Sequence, residues 1–305
     1  MSYPIKAVVF DWAGTMVDFG CMAPVDALIE AFAAHGVVLS AIEARRDMGR
    51  AKHDHVLAIL AQPSVAAAWT AAKGAPPVPA DGEAIYQALE PLIEAAATRC
   101  ADLIPGAAAV AADLKDLGVR IGSGTGYTRQ MMSGILPRAA AQGYAPEVVV
   151  CAGETPSGRP GPLMTWKALI ALDAWPARAC VKVDDATVGI EEGRLAGCWT
   201  IGLAASGNGV GLSLADYRAL AEPERRSRVA ASAEQLKAAG ADYVIDTVAD
   251  IRPVLDDIAA RIVAGEPSRP TASSFYSQLS SKYGTDIDLE AVIHETRRED
   301  SGLDL

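Results

Sequence analysis

Apolar residues occur along the chain in short continuous runs bounded by Gly, Pro or Asp. These runs are residues 7–10, 119–121, 148–150, 180–183 and 200–203. Continuous rather than alternating apolarity is typical of strands that are buried on both faces. Between the runs lie Ala- and Leu-rich stretches with helical spacing, at 106–117, 127–141 and 164–172. The alternation predicts a doubly wound α/β fold, in which a parallel sheet has helices on both faces.

The alternation is interrupted once, between residues 20 and 100, where helical patterns follow one another without a convincing strand. We interpret this region as a helical cap domain inserted after the first strand. Within it, Ser40 and Glu43 have the spacing of a capping box, which predicts a helix running from there toward Met48. The Pro- and Gly-rich stretch 74–82 predicts a loop between cap helices.

These patterns divide the chain into three parts. Residues 1–19 and 101–265 are predicted to form the α/β core, and residues 20–100 the cap. From residue 266 to residue 305 the composition shifts to Ser, Pro and Thr and then to acidic residues, so this part is interpreted as a peripheral tail of unknown role. A short docking helix at 289–294 is compatible with its pattern.

Composition limits the possible functions. The chain of 305 residues has 27 Lys and Arg against 38 Asp and Glu, a net charge of −11 that disfavours nucleic acid and anionic membranes as partners. An anionic substrate would need a local cationic pocket. The odd number of cysteines, five, and the absence of a CxxC pair argue against a zinc knuckle or a disulfide framework. With neither a signal-peptide pattern nor an apolar run long enough to span a membrane, we expect a cytoplasmic location.

Candidate catalytic residues stand at the ends of the predicted strands, where ligands bind in open α/β sheets. Asp11 follows the first strand; the alternative interpretation of this residue alone, as a turn or helix-capping residue, is the less favoured one. The second strand ends in the hydroxyl- and glycine-rich segment 123–125, and the fourth ends in Asp184 and Asp185. Carboxylates that approach from separate strands indicate a Mg²⁺ site. Arg159, in the loop after the third strand, supplies a cation.

This ordered set of carboxylate nucleophile, hydroxyl, cation and acidic metal ligand resembles the four motifs of the haloacid dehalogenase superfamily. That resemblance implies a second Asp, two residues after the nucleophile, as general acid for an oxygen leaving group. Here the position holds Ala13. Loss of that acid commonly costs about 10²–10⁴-fold in rate, so we expect a leaving group other than an ordinary alkoxide.

A carbon leaving group needs an electron sink, and a lysine imine provides one. Lys52, in the cap segment MGRAKHDHV, is the candidate. Met48 and His55 would share its face if the stretch is helical. An apolar neighbour and nearby cations would lower the pKa of the amine. A cap lysine is more often a solvated surface residue, and it is the sequence context that favours a catalytic role.

That context is a set of motifs that closely resemble the phosphonoacetaldehyde hydrolase family, also called phosphonatases, over residues 4–265. The motifs are FDWAGTMVDFGCMAP, MGRAKHDHV, GSGTGYTRQMM, GRPGP and VKVDDATVGIEEGRLAGCWTIGL. The resemblance implies hydrolysis of phosphonoacetaldehyde to acetaldehyde and phosphate, in 2-aminoethylphosphonate degradation. It also implies Mg²⁺ as cofactor and a homodimer formed through the cap.

The resemblance further implies individual roles. Asp11 would attack phosphorus and bind Mg²⁺ together with Asp185 and the backbone carbonyl of Ala13, and Lys52 would form the imine. The remaining positions matched to the family fall into two groups. Those implied to hold the substrate are Thr125, Gly126 and Arg159. Those around the imine, the proton transfer and the metal are Met48, His55, Cys21, Tyr127 and Asp184.

Two departures limit the match: Gly189 stands where some superfamily members have another acid, and the tail is longer than expected. The outer shell of the metal would then rely on Asp184 or water. Two alternative functions stay open, a sugar-phosphate phosphatase or mutase of the same fold and a catalytically inactive binding or scaffold protein. The glycine-rich segments GSGTGYT and GNGVGLS do not open a helix after the first strand, which argues against a dinucleotide site.

Overall fold

The computed structural model describes residues 3–266. Its centre is a six-stranded parallel sheet with the order β3-β2-β1-β4-β5-β6. The strands are β1 (Ala7–Phe10), β2 (Arg120–Thr125), β3 (Val148–Cys151), β4 (Cys180–Asp184), β5 (Trp199–Leu203) and β6 (Tyr243–Ile245). The predicted doubly wound α/β fold is therefore confirmed.

Within residues 3–266, twelve α-helices surround the sheet or lie in the segment between β1 and β2. The first five helices of that segment are α1 (Met22–Ala34), α2 (Ala41–Arg45), α3 (Lys52–Leu60), α4 (Pro63–Lys73) and α5 (Pro79–Arg99), and the sixth, directly before β2, is α6 (Ala107–Asp116). The helices after β2 are α7 (Ile135–Ala141), α8 (Leu163–Ala171), α9 (Thr187–Leu195), α10 (Leu214–Ala219), α11 (Glu222–Ala238) and α12 (Ile251–Val263). We call residues 22–99 the cap and the remaining described residues the core.

The strand order places β1 between β2 and β4. Phe10, its last residue, is in register with Ser123 of β2 and Val183 of β4. Because all three strands point the same way, their carboxyl ends lie side by side at one edge of the sheet. Asp11 therefore emerges beside the ends of β2 and β4, as the sequence predicts.

The strands that the sequence predicts are present with small shifts at their ends, whereas β6 was missed. It has three half-buried residues and carries little of the continuous apolar pattern of the central strands. The predicted helix 127–141 is wrong in its first half, because residues 127–134 form turns and α7 begins at Ile135. The predicted loop 74–82 is also too long, since α5 begins at Pro79, whose fixed φ suits the first turn of a helix.

In the cap, the capping box of Ser40 and Glu43 is confirmed in both directions. The helix it starts is shorter than predicted: α2 ends at Arg45, and Met48 lies in the turn before α3. The cap and the core both belong to the compact unit Met1–Ser268. The cap helices begin and end inside the predicted limits 20–100, although the domain boundaries themselves stay predictions.

Two sequence-based expectations concern the membrane and the tail. Within residues 3–266 no single helix is long and apolar enough to cross a membrane, and α3 and α4 meet that criterion only as a pair bent by 79°. The predicted tail lies outside the described residues except for Glu266, and so does the predicted docking helix at 289–294.

Candidate active site

Three carboxylates meet at the carboxyl edge of the sheet. Oxygen atoms of Asp11, Asp184 and Asp185 lie within 4.8 Å of one another, and all three residues are buried. Burial, followed by the charge of Asp184, raises the pKa of Asp11 to about 6. Burial and the charges of the other two carboxylates raise the pKa of Asp185 to about 7. Such an arrangement favours a bound cation, which would stabilise the ionised forms.

Arg159 is the centre of the charged network behind these carboxylates. Its side chain is 1% exposed, and its Nη1 atom donates to Asp11 Oδ1 at 2.7 Å. Its Nε atom donates to Glu192 Oε2 at 2.7 Å, and Nη2 donates to the carbonyl of Gly124 at 3.0 Å. The three bonds hold the guanidinium against the nucleophile predicted from the sequence.

Asp184 is held by the same network. It accepts hydrogen bonds from Lys182 Nζ and from the backbone N–H of Ala186. Burial raises the pKa of Asp184, but the charges of Lys182 and Arg159 and these two hydrogen bonds outweigh it and hold the pKa below the usual value. A Cβ atom at Gly189 would overlap the Asp184 carboxylate. The space where some superfamily members have another acid is therefore filled by the carboxylate of Asp184, reaching from the end of β4.

The buried network contains more acidic than basic side chains. Four buried carboxylates (Asp11, Asp184, Asp185 and Glu192) face two buried cations, Arg159 and Lys182. If all are ionised, four negative and two positive charges leave two negative charges. Buried charges are tolerated when they are paired or coordinate a metal. A single divalent cation would balance this group, and the oxygen ligands are of the type that hard cations prefer.

Lys52 lies opposite, at the start of α3 in the cap. The residue is 3% exposed, its Nζ atom is 3.9 Å from the sulfur of Met48, and it lies 5.3 Å from the centre of the Tyr127 ring. Burial lowers the pKa of the amine to about 8. The predicted proximity of Met48 is confirmed, but its predicted helical i−4 relation is wrong, because α3 begins at Lys52 itself.

His55, which the sequence places near Lys52, adds no positive charge beside it. Its ring is buried, and burial followed by the charge of Lys52 lowers its pKa to about 3, so the imidazole is neutral near neutral pH. Its Nε2 atom is 2.6 Å from the carbonyl of Arg46, which assigns the proton to that nitrogen. Two effects lower the pKa of Lys52: burial, which is the larger, and the positive charge of Arg159.

A small cavity of about 20 Å³ separates Lys52 from the carboxylates. Most of the residues predicted for the site line it: Asp11, Ala13, Cys21, Met48, Lys52, Thr125, Gly126, Tyr127 and Asp185. Arg159 and Asp184 do not line it, and they hydrogen-bond to the lining residues Asp11 and Ala186 from behind. His55 does not line it either, and its ring nitrogen contacts the carbonyl of Arg46. Arg159, predicted to hold substrate, is paired here with Asp11.

The other lining residues have defined partners. Cys21 Sγ donates to Asp185 Oδ2 at 3.3 Å, and burial raises the pKa of the thiol, so Cys21 is a buried neutral thiol and a poor nucleophile. Thr125 Oγ1 accepts from the backbone N–H of Tyr127 at 3.1 Å. A Cβ atom at Gly126 would lie 2.5 Å from the carbonyl oxygen of Arg50, so glycine permits this close approach of core and cap.

Comparison with known proteins identifies the family of this chain. The haloacid dehalogenase-like hydrolase family matches residues 5–197. A phosphonoacetaldehyde hydrolase of Paraburkholderia phytofirmans is 49% identical over 262 residues, covering 86% of this chain and 98% of the relative. Another, from Nitratidesulfovibrio vulgaris, is 42% identical over 267 residues, covering 88% and 95%. The chain belongs to the phosphonoacetaldehyde hydrolase family. It is therefore a hydrolase with a haloacid dehalogenase-like fold.

A solved structure supports the family assignment. The crystal structure of a phosphonoacetaldehyde hydrolase-like protein from Oleispira antarctica superposes with a TM-score of 0.85 at 39% identity, covering 87% of this chain and 96% of that one. The matched length extends well beyond the sheet, so the likeness includes the segment between β1 and β2.

Four buried or half-buried residues of this phosphonoacetaldehyde hydrolase family member were not anticipated. Lys182 and Glu192 complete the charged network, while Arg45 and Asn208 connect the cap to the core. Lys182 had a usable signal, because a lysine between apolar residues of a buried strand requires a buried partner. Glu192 had none, since the acidic pair at 191–192 looks like the solvated face of a helix.

Proposed function

We propose that the chain hydrolyses the carbon–phosphorus bond of phosphonoacetaldehyde, giving acetaldehyde and phosphate. The observation that carries this proposal is that a buried amine with a lowered pKa and a carboxylate held by a guanidinium line the same small cavity. An amine can bind the aldehyde end of the substrate as an imine, and the carboxylate can accept its phosphoryl group. The names of the curated relatives support the choice of substrate.

The first step is imine formation at Lys52. The neutral Nζ attacks the aldehyde carbon, and loss of water gives an imine that is then protonated on nitrogen. Burial favours the neutral amine, because desolvation disfavours the charged form. The protonated imine is the electron sink that a carbon leaving group requires.

The second step is phosphoryl transfer to Asp11. A carboxylate oxygen of Asp11 attacks phosphorus, the carbon–phosphorus bond breaks, and its electron pair moves into the imine to give an enamine. Arg159 Nη1, 2.7 Å from Asp11 Oδ1, lies where it can contact a phosphoryl group bound to that carboxylate. Thr125 and Gly126, at the end of β2, line the cavity on the core side and are assigned to substrate binding.

The remaining steps release the two products. The enamine takes up a proton at carbon, and water then hydrolyses the imine to acetaldehyde and free Lys52. A second water attacks the aspartyl phosphate at Asp11 and releases phosphate. Cys21 and Tyr127 line the cavity, and burial raises the pKa of both groups, so both hold their protons near neutral pH. We place them in the proton-transfer region.

We assign Mg²⁺ as the cation of the carboxylate site. Asp11, Asp185 and the backbone carbonyl of Ala13 would hold it, and all three residues line the cavity. When bound, Mg²⁺ offsets the negative charge that builds up between the carboxylates and the phosphonate. Asp184 would support it from behind, since Lys182, Ala186 and Arg159 already surround its carboxylate.

The proposal also covers the pathway, the location and the assembly of the protein. We infer a role in 2-aminoethylphosphonate degradation, a cytoplasmic location and a homodimer formed through the cap. Residues 20–100 would act as the cap domain that supplies Lys52, and residues 1–19 and 101–265 as the core domain that supplies the phosphoryl site.

The deciding experiment compares phosphate release from phosphonoacetaldehyde with release from a panel of sugar phosphates. We expect turnover of the phosphonate and little of the esters, because Ala13 cannot protonate an alkoxide. Ala13→Asp is the informative variant, since it adds the missing acid without serving a carbon leaving group. Preferred cleavage of the esters by the wild type, or faster phosphonate cleavage by Ala13→Asp, would contradict the proposal.

A further inference from the structure

The glycine-rich segment after β5 contacts both the cap and the metal-site carboxylates. We call residues 206–211, with the sequence SGNGVG, the docking loop. It forms no dinucleotide-type turn before a helix, since the next helix, α10, begins only at Leu214. Its contacts instead suggest a mechanical role.

Arg45, the last residue of α2, joins the cap to this loop. Its Nη1 atom donates to Asn208 Oδ1 at 3.1 Å and to the carbonyl of Gly20 at 2.9 Å, and Nη2 donates to the carbonyl of Gly211 at 3.0 Å. In return, Asn208 Nδ2 donates to the carbonyl of Arg45 at 3.1 Å. Gly211 has φ +65°, and a Cβ atom there would lie 2.6 Å from Arg45 Nε, so the loop is shaped to receive this side chain.

The same loop holds a carboxylate of the active site. The backbone N–H of Asn208 donates to Asp185 Oδ2 at 2.7 Å, and a Cβ atom at Gly207 would overlap the Asp185 side chain. Ser206 Oγ donates to the carbonyl of Gly14, and the Ser206 carbonyl accepts from the N–H of Gly20, at 2.8 and 2.7 Å. The loop is thus fastened to the segment that leads from Asp11 into the cap.

The proposed substrate does not fit into the cavity between Lys52 and the carboxylates. A cavity of about 20 Å³ has room for only about one or two water molecules, whose minimum requirement is roughly 10–15 Å³ each. A two-carbon phosphonate is much larger. The cap face that carries Lys52 must therefore withdraw from the core to admit substrate, and a cleft of about 360 Å³ beside Arg45, Asn208 and Asp185 already separates parts of the two.

We propose that the Arg45–Asn208 contact is a latch that couples closure of the cap to the placement of Asp185. When the cap closes, Arg45 fixes the docking loop, and the loop presents the Asn208 N–H to Asp185. When the cap withdraws, Arg45 releases the loop and Asp185 loses that donor. Arg45 and Asn208 are positioning residues, because neither lines the cavity between Lys52 and Asp11. Withdrawal of the cap for substrate entry and the relation to catalysis rest on the proposed function, whereas the coupling of Arg45 to Asp185 through the docking loop rests on the observed contacts.

The first measurement follows the Asn208 amide by hydrogen exchange in the full chain. Arg45→Ala should speed exchange of residues 206–209 by at least about 5-fold, the lower range of typical coupling between sites. Arg45→Lys should restore part of the protection, because it retains one charged donor. The matched control is Arg46→Ala, which removes the same charge at the next position, where the side chain lines the same cleft. Unchanged exchange in Arg45→Ala, or equal acceleration in Arg46→Ala, would overturn the latch.

The second measurement is the affinity for Mg²⁺, titrated by calorimetry without substrate. Asn208→Ala keeps the backbone N–H that binds Asp185, so weaker binding must arise through displacement of the loop. We expect Arg45→Ala and Asn208→Ala each to weaken Mg²⁺ binding by about 10-fold, as for other outer-shell partners of metal ligands. The double variant should be no weaker than either single one. Losses of Mg²⁺ affinity that add up in the double variant would refute the latch. Lower thermal stability of the single variants with unchanged Mg²⁺ affinity would also refute it, because the Arg45–Asn208 contact would then only stabilise the fold.

The two proposals can fail separately. If the wild type releases no phosphate from phosphonoacetaldehyde but the exchange results hold, the proposed function is wrong and the latch stands. If the wild type binds no Mg²⁺, the metal assignment fails and amide exchange at Asn208 alone decides the latch. If the wild type is active while neither exchange nor Mg²⁺ affinity responds to Arg45→Ala, the latch is wrong and the proposed function stands.

Discussion

The two sides of the cavity bury charge in opposite ways. On the core side, Arg159 donates hydrogen bonds to the carboxylates of Asp11 and Glu192, and Lys182 donates to that of Asp184. On the cap side, Lys52 is equally buried, yet among the described residues the polar contact of its amine is with the sulfur of Met48. A buried lysine thus has a carboxylate partner on the core side, at Lys182, and within residues 3–266 has none at hydrogen-bond distance on the cap side, at Lys52.

This difference matches the chemistry proposed for each side. Phosphoryl transfer needs permanent charges at fixed positions, and buried charges persist only when partners compensate them. Imine formation needs an uncharged amine, and burial without a carboxylate partner favours the neutral form. His55 extends the pattern, because burial keeps it neutral beside Lys52.

The largest effect should come from the core side, at the nucleophile. Asp11→Asn should lower turnover of phosphonoacetaldehyde by roughly 10⁴–10⁶-fold, the range seen when a nucleophile or its catalytic partner is removed. The fold should persist, because the Asn side-chain oxygen can still accept from Arg159. Asp26→Asn, on the cap helix α1, is the matched control. Turnover close to that of the wild type would show that another group attacks phosphorus.

On the cap side, Lys52→Arg should abolish turnover, because a guanidinium keeps the charge but forms no imine. Borohydride added with acetaldehyde should inactivate the wild type and leave the added mass on the peptide that contains Lys52. Lys73→Arg, also in the cap, is the control and should behave like the wild type. An active Lys52→Arg enzyme, or a modified peptide without Lys52, would rule out the imine.

The two buried lysines also test the comparison through stability. Lys182→Met leaves Asp184 and Glu192 short of a cation and should lower the free energy of unfolding by about 3–5 kcal/mol, as when one partner of a buried pair is removed. Lys52→Met replaces an amine without a carboxylate partner by a chain of similar volume, so the free energy of unfolding should stay level or rise. Urea unfolding of both variants measures the difference. Equal decreases in the free energy of unfolding for the two variants would mean that the charge of Lys52 has a stabilising partner, as that of Lys182 does.

The smallest effect is a shift in the pH profile. Because the pKa of Lys52 lies near 8, the neutral fraction of the amine grows as pH rises, and kcat/KM should climb about tenfold per pH unit up to that value and then level off. Met48→Glu would give the amine a carboxylate partner, raise its pKa and move the rising limb to higher pH. Met48→Leu should leave the limb in place. A profile without a rising limb near pH 8 would argue against an amine that must be neutral.

Much of this molecule can be predicted from its sequence because local patterns report burial. The continuous apolar runs identify the central strands, and the helical segment inserted after β1 is visible as an interruption of their alternation. The positions of Asp11, Asp184 and Asp185 at strand ends follow from the same reading, since parallel strands bring their carboxyl ends together. The capping box at Ser40 is equally local and was confirmed.

What the sequence could not decide depends on contacts between distant segments. Whether Lys52 is solvated or buried is set by the packing of the cap on the core, and the neutral state of His55 follows from that packing. The pairing of Arg159 with Glu192 joins positions 33 residues apart, and that of Arg45 with Asn208 joins positions 163 apart. Local periodicity carries no information about such pairs. The sequence by itself therefore determines which residue types stand at the ends of the strands. The charge states of the buried groups, and the contacts between cap and core, are decided only by the tertiary structure, because it brings distant segments together and buries their ionisable groups away from water.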